Sequence, residues 1–336
     1  MGKKNKSNKL KTRVSLCTPT FNRRPFIQQM VDNIMKQTYP KELMEWIILD
    51  DGTDPIGDLV KDIPFVHYIY LEERMSIGKK RNLMHQYCNF KNDNDIIIYI
   101  DDDDYYPPER VSHSVETLNN SNALCAGSSE VYLWFNDIHK MYKFGPYGPN
   151  HATAGTFSFK RIMLKDTHYE DSAVLAEEKF FLKNYTIPFV QLNPLKTILV
   201  ISHQQNTFDK KRLIDKNNPV CNESSLLPST FIKDIKTIQF YTKELEEQLK
   251  IYNPGDIKNK PEVLAEIKRR DEERTNMKNT INQPQVILTQ PDGIKRTLQL
   301  HEIIEILKIK TNENIILKEK ISLYEKKMKD ILSIIT

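Results

Sequence analysis

The chain has 336 residues, 39% hydrophobic and 28% charged, a composition that suits a soluble globule with room for one large domain and an appendage. Its formal charge of +4 sits in the tail: without Lys3, Lys4, Lys6, Lys9, Lys11 and Arg13, 43 basic residues face 45 acidic ones. The near-neutral body argues against a nucleic-acid partner, the lack of a long apolar run against a transmembrane segment, and four scattered cysteines without a CxxC pair read as buried thiols in a reducing compartment.

Residues 1–12 read as a disordered basic tail, without the apolar core of a signal peptide, which points to a cytoplasmic protein. Strands and helices then alternate. Residues 14–17 predict a strand, and 20–25 a turn into a helix that runs to Lys36, with Pro25 suited to its first turn. A second strand over 46–49 ends at Asp50-Asp51-Gly52, and a third spans 65–71. Ser76 caps a helix reaching Phe90. Residues 96–100 are apolar and mostly β-branched, then give way to Asp101, Asp102, Asp103 and Asp104. Such a run predicts a buried parallel strand whose carboxyl end, where open α/β sheets bind ligands, carries the carboxylates. Four adjacent like charges repel, and a divalent cation or a ligand's hydroxyls would relieve them. Mg²⁺ and Mn²⁺ take carboxylate oxygens together with substrate phosphates.

Beyond Pro108 the pattern shifts to short strands over 123–126, 131–135, 141–144 and 155–159. A helix is predicted over 174–185, then strands over 187–192 and 198–201 that end near His203. From Asp215 onward the chain is rich in Lys, Glu, Asn and Ile and mostly helical, with breaks at Pro254-Gly255 and Gln283-Pro284-Gln285 and a turn at Gln290-Pro291-Asp292-Gly293. Leu317, Ile321, Tyr324, Met328, Ile331 and Ile335 recur at alternating steps of four and three, so 317–335 predicts a dimerising coiled coil or a helix packed on its own domain.

Four motifs in the first 110 residues, in one order, resemble glycosyltransferase family 2 with the GT-A fold. Thr18-Pro19-Thr20-Phe21-Asn22-Arg23 resembles its first-strand Pro-x-Tyr-Asn turn. Leu49-Asp50-Asp51-Gly52-Thr53-Asp54 is similar to its Val-Asp-Asp-Gly-Ser turn. Gly78-Lys79-Lys80-Arg81-Asn82 looks like its Gly-x-x-x-Arg-Asn helix start. The run from Ile100 to Pro108 is similar to its extended Asp-x-Asp motif. The resemblance runs to about Asn206. The Asn- and Lys-rich composition also resembles such enzymes from large DNA viruses.

The resemblance implies an α/β GT-A domain over 13–214, with a mixed, mostly parallel sheet and flanking helices, followed by a helical region over 215–336. It implies an inverting, metal-dependent transfer of sugar from a nucleotide-sugar donor, foremost a UDP-sugar, to a glycan or glycoprotein hydroxyl. Thr18, Pro19, Thr20, Arg23, Asp50, Asp51, Arg81, Asp101 and Asp102 fall where the family binds the donor. Asp103, Asp101 and His203 fall where a Mn²⁺ or Mg²⁺ would be held. Ala176-Glu177-Glu178-Lys179 resembles the segment carrying the general base, with Glu178 in the favoured position and Glu177 second. Asp171 is a third candidate. Tyr132 and Trp134 are candidate sugar platforms near the His151–Thr156 segment, with core packing the favoured fate of at least one of them. A nucleotidyltransferase of similar fold would need a glycine-rich phosphate loop after the first strand, and Thr18-Pro19-Thr20-Phe21-Asn22 has no glycine. A non-catalytic module of this fold would not need the Asp101–Asp104 run beside Glu177 and Glu178.

Overall fold

A computed structural model of the chain describes residues 11–214, 218–281, 286–289, 293 and 295–335. Residues 1–10 of the tail, Asp215, and the predicted breaks at 283–285 and 290–292 lie outside that set. Strands β1 (Val14–Thr20), β2 (Met44–Asp50), β3 (Val66–Tyr70) and β4 (Ile96–Tyr99) form a parallel block in the order β3-β2-β1-β4. The sheet continues through β8 (Ser158–Lys160), antiparallel to β4, and then β5 (Cys125–Gly127) and β9 (Phe189–Gln191). This is the mixed, mostly parallel sheet that the resemblance implied.

Alternation along each strand sends side chains to two separate cores. Val14 and Leu16 of β1, Trp46 and Ile48 of β2, and Ile96 and Ile98 of β4 pack on one face. That face is covered by Ile27, Met30 and Ile34 of α1 (Arg24–Met35) and by Val111, Val115 and Leu118 of α4 (Arg110–Asn119). Cys17, Ile47, Leu49, Ile97 and Tyr99 point the other way, onto Met84 of α3 (Ile77–Tyr87) and onto Phe157, Phe159, Tyr169 and Phe181. Burial on both faces is why the β4 run is continuously apolar. α2 (Gly57–Val60) fills the β2–β3 connection. As the sequence suggests, Ser76 caps α3, its Oγ accepting from Lys79 N–H at 3.4 Å.

A second sheet has the order β10-β6-β7-β11, from β6 (Val131–Phe135), β7 (Lys140–Phe144), β10 (Leu199–Ser202) and β11 (Cys221–Ser224). The helix predicted over 174–185 shrinks to α5 (Glu178–Phe181). Ala176 has φ +54°, and Lys183, Asn184 and Tyr185 have φ of +49°, +55° and +62°, so left-handed backbone stops the helix on both sides. Neither candidate sugar platform lines the cavity at the strand ends. Trp134 is buried beside Met141 and Leu199, and the Tyr132 ring lies 5.6 Å from that of Phe231.

Where the sequence places a boundary at 214/215, the compact unit continues to Ile267. α6 (Pro228–Phe231), α7 (Ile235–Gln239), a π-helical turn and α8 (Leu245–Ile251) bury Phe231, Ile232, Tyr241, Leu245 and Leu249 against Phe26, Met141 and Ile201. Tyr241 OH donates to Asp104 O at 3.0 Å, and Asn22 Nδ2 donates to Pro254 O at 2.9 Å. The physical reason is apolar: the second sheet's outer face needs a cover, and these short helices supply it. α9 (Pro261–Ile281) starts within this unit. The unit from Lys268 to Thr336 holds β12 (Val286–Thr289), antiparallel to β13 (Lys295–Leu298), and α10 (Leu300–Ile335). No helix among the described residues is long and apolar enough to cross a membrane.

Two buried polar groups tie the first sheet to its surroundings. The Arg110 guanidinium is fully buried and donates to Thr156 O at 2.8 Å, Phe157 O at 3.0 Å and Ser158 Oγ at 3.1 Å. It thereby fixes the segment that runs under the end of β4. His85, on α3, is also buried, with Nε2 2.7 Å from Tyr99 OH. Burial drops its pKa from 6.5 to about 3, helped by the charges of Arg161 and Arg81. The unfolded chain therefore binds a proton between those values that the folded chain refuses. Stability from this site is complete above pH 6.5 and declines as pH falls toward 3. Urea unfolding of wild type and His85→Gln across pH 7 to 4 should give a shallower acid-side slope in the variant; equal slopes would remove His85 from the acid response.

Candidate active site

The carboxyl ends of β1, β2 and β4 open on a cavity of about 460 Å³. Pro19, Thr20 and Phe21 reach it from β1, Asp51 from β2, and Asp101 to Asp104 from β4. Three chain segments far apart in sequence converge because parallel strands all present their carboxyl ends to one rim.

The four aspartates differ sharply in environment. Burial raises the Asp101 pKa, and Arg81, with Nη2 at 3.7 Å from its Oδ1, works against that rise. Burial pushes Asp102 to about 7, although Arg23 Nε lies 3.5 Å away. Burial would also raise Asp103, but the His203 hydrogen bond and the Arg23 charge outweigh it and hold this carboxyl well below its usual range. Burial and the neighbouring Asp103 raise Asp104, whose Oδ1 accepts from Ile201 N–H at 2.8 Å. Asp103 is thus the anionic centre of the run, and Asp104 braces the second sheet against it. Gly155 is required beside Asp101, since a Cβ there would sit 2.4 Å from Asp101 Oδ2.

Arg81 links this run to the opposite wall. Its Nε donates to Glu177 Oε1 at 2.8 Å, and its guanidinium lies 4.2 Å from the Tyr99 ring centroid. Burial works against its charge, but Glu177 and Asp101 prevail and hold the group firmly cationic. Nη1 is buried with no hydrogen-bond partner, which leaves one donor for a ligand. Gly78 lets α3 approach closely enough to place Arg81 there, because a Cβ would meet Glu170 O at 2.0 Å.

Several residues singled out in the sequence take other roles. Thr18 is fully buried and accepts from Trp46 Nε1 at 2.9 Å, so it braces strands and does not line the cavity. Asp50 is consumed by its own turn: it accepts from Gly52 N–H, Ile56 N–H and Tyr68 OH at 2.9, 3.0 and 2.8 Å. Asp51 lines the cavity instead, held by Met75 N–H at 2.7 Å and by Lys80. Glu177, the second candidate, lines the cavity and is buried, whereas Glu178 begins α5 and does not line it. The left-handed Ala176 turns the chain two residues before the helix begins, which points Glu177 and not Glu178 inward. Asp171 lies outside the cavity lining and accepts from Asn82 Nδ2 at 2.7 Å.

His203 is buried, with Nε2 3.2 Å from Asp103 Oδ2. Gln205 N–H lies 3.2 Å from Nδ1 and Asn206 Nδ2 lies 2.8 Å from Nε2, so N–H donors face both ring nitrogens. His203 thus contacts the Asp103 carboxylate, while its own ring is not part of the cavity lining. Burial lowers the ring's pKa to about 4, which agrees with a neutral imidazole.

Three lysines at the cavity were not legible as site residues. Lys80 pairs with Asp51 and donates to Thr20 O at 2.9 Å. Lys210 donates to Ile201 O at 3.1 Å, and Lys260 to Thr207 Oγ1 at 2.9 Å. Among the described residues neither Lys210 nor Lys260 has a carboxylate within 4.0 Å. Burial, with the Arg23 charge, lowers Lys260 to about 7. Lys260 precedes α9, beyond the reach of the sequence motifs. The nearest sequence signal is Pro261, which suits the first turn of a helix.

Among the described residues, no three His, Cys, Asp or Glu side chains converge as a ready cation cage. Asp101 and Asp103 nevertheless both line the cavity. A hard cation shared with substrate phosphates needs only one or two carboxylates, and these two fit that demand.

Residues 15–170 match the family model described as glycosyl transferase family 2. The putative teichuronic acid biosynthesis glycosyltransferase TuaG of Bacillus subtilis (strain 168) is 27% identical over 124 residues, 35% of this chain and 46% of that protein. The chain thus spans about half the length of that curated relative. Among solved structures, S. aureus TarS 1–349 in complex with UDP aligns at 15% identity and TM-score 0.47, over 85% of this chain and 96% of that one. The mannosyltransferase PcManGT from Pyrobaculum calidifontis in complex with GDP-Man and Mn²⁺ aligns at 15% identity and TM-score 0.44, over 56% of each chain.

The left-handed Ala176 stores strain at the residue that aims Glu177. Ala176→Gly removes a cost of about 1–2 kcal/mol and adds back about 0.5–1 kcal/mol of chain entropy. The variant should be more stable by up to about 1 kcal/mol in urea unfolding. A less stable Ala176→Gly protein would show that the turn is unstrained.

Proposed function

We propose, starting from a chain that carries a glycosyl transferase family 2 domain over residues 15–170, that the protein transfers a sugar from a nucleotide donor to an acceptor hydroxyl with inversion at the anomeric carbon. The observation that carries this reading is Arg81, which ties Glu177 on one wall to Asp101 on the other across a single cavity. One guanidinium fixes both carboxylates relative to each other, and an in-line displacement depends on reacting groups held in fixed geometry.

The donor's diphosphate meets Arg81 Nη1, Lys210 and Lys260, the cationic groups with capacity left for an anion. Asp51 and the Phe21 ring lie on the wall where β1 and β2 end, which suits a nucleobase. Asp102 stands where ribose hydroxyls need an acceptor. A divalent cation held by Asp103 and Asp101 would supply Lewis-acid neutralisation of the leaving diphosphate. Glu177, with Oε1 fixed by Arg81, uses its second oxygen to take the proton from the acceptor O–H. The acceptor oxygen then bonds to the anomeric carbon as the bond to the phosphate oxygen breaks, and the nucleoside diphosphate leaves. The acceptor side of the cavity includes Tyr147, Phe208 and Val200, apolar surfaces that a sugar face can cover. A UDP-sugar donor, Mn²⁺ or Mg²⁺, and a glycan or glycoprotein acceptor are the substrates and cofactor of this reading.

Screening UDP-, GDP- and CMP-sugars for hydrolysis with and without Mn²⁺ tests the activity. No turnover of any donor class would sink it. Glu177→Gln should lower turnover by about 100-fold or more while donor affinity stays nearly constant. Glu178→Gln should retain most activity, and the reverse pattern would return the base to Glu178. Lys260→Met should weaken nucleoside diphosphate binding by about tenfold, the worth of one charge-assisted contact. Unchanged affinity in titration calorimetry would place the phosphates elsewhere.

A further inference from the structure

α10 is continuous over 36 residues, Leu300–Ile335, and its heptad pattern is longer than the run visible at its end. Steps of three and four, counted back from Ile335, pass through Ile331, Met328, Tyr324, Ile321, Leu317, Asn314, Lys310, Leu307, Ile303 and Leu300. Nine of those eleven positions are apolar. Leu300, Leu307, Asn314, Ile321, Met328 and Ile335 are then a positions, and Ile303, Lys310, Leu317, Tyr324 and Ile331 are d positions. Ile303 is half-buried, and from Leu307 on the apolar seam positions are exposed: Leu307, Leu317, Ile321, Tyr324, Met328 and Ile331 at 60%, 54%, 56%, 65%, 64% and 56%. Ile309, Ile316 and Leu323 form a neighbouring line, but one residue per heptad makes a ridge and not a seam.

We propose that α10 is an interaction surface for a second copy of this chain, forming a parallel, in-register, two-stranded coiled coil over 300–335. Two observations select that occupant and that orientation. Asn314 is a lone amide at an a position, and in a parallel in-register pair it meets its own equivalent, so each side chain finds a hydrogen-bond partner. An antiparallel pair would set Asn314 against the Leu317–Ile321 stretch and bury the amide in hydrocarbon. The flanks also match. In the parallel pair Glu313 at g faces Lys318 of the partner subunit at e, and Lys320 at g faces Glu325 of the partner subunit at e. Both contacts join opposite charges, and the two-fold axis repeats each. Lys310 is the one charge on the seam; Glu313 of the same helix holds its Nζ at 2.7 Å, and its long stem can lie along the seam while the ammonium stays in water. This surface is independent of the active-site reading, and either can fail alone.

Light scattering on the full chain should give twice 39.5 kDa at micromolar concentration. Ile321→Asp with Met328→Asp should return it to the monomer mass. Lys320→Glu should weaken association, and Lys320→Glu with Glu325→Lys should restore it, a rescue that misfolding would not show. Asn314→Cys should form a disulfide-linked dimer on mild oxidation, because an in-register pair places the two residues side by side. In an antiparallel pair they would lie about 10 Å apart along the axis, beyond disulfide reach. A monomeric full-length chain, a dimer indifferent to the two aspartates, or a dimer that does not cross-link at 314 would each overturn the proposal.

Discussion

Four consecutive carboxylates at the end of one buried strand are the constraint around which the first unit is arranged. Asp101 to Asp104 cannot all remain charged at low dielectric without compensation. The fold brings it from far along the chain: Arg23 after β1, Arg81 on α3, His203 and Lys210 after β10, and Lys260 before α9. They come from four different stretches of secondary structure, His203 and Lys210 sharing the end of β10. The cavity is therefore held together electrostatically by pieces that local packing alone would not bring into register.

That balance is uneven, and the unevenness has chemical use. Asp103 gathers Arg23 and His203 and stays anionic, while burial raises Asp101, Asp102 and Asp104. One strand end thus offers a strong anionic centre flanked by carboxyls that a ligand's positive charge or hydroxyls can bring into play. The cations are graded in the same way. Arg23, Lys80 and Arg81 pair directly with carboxylates, whereas Lys210 and Lys260 donate to neutral oxygens and, among the described residues, have no carboxylate within 4.0 Å. An incoming diphosphate would complete the pairing that the protein leaves open.

The segment after residue 214 is part of this economy of contacts. Tyr241 reaches the backbone of Asp104, Asn22 is held by Pro254 O, and Lys260 enters the cavity wall. Apolar cover and site assembly are one event here, since the helices that bury Phe231 and Leu245 also carry the chain to Lys260. Removing this segment would strip the second sheet's cover and a cation together.

Periodicity and punctuation made much of the molecule readable in one dimension. The apolar run of β4 and the Asp-Gly turn after β2 announced a parallel sheet with its polar ends on one rim, because those signals are local. The heptad line of α10 is local too, and the sequence alone determines its spacing. Other features depended on contacts that spacing does not record. Asp50 and Asp51 are adjacent and chemically identical, yet only the packing of Tyr68 and Ile56 decides that one closes a turn and the other faces the cavity. Glu177 and Glu178 were separated by a left-handed Ala176, a conformation that alanine does not advertise. His203 reads as a ligand in the sequence, and only the fold shows its contact with Asp103 Oδ2 and its place outside the cavity lining. The sequence by itself determined the sheet, the rim and the carboxylate run. The tertiary structure alone decided which neighbouring residue turns inward and that Lys260 joins the site, because those choices rest on long-range packing and shared burial.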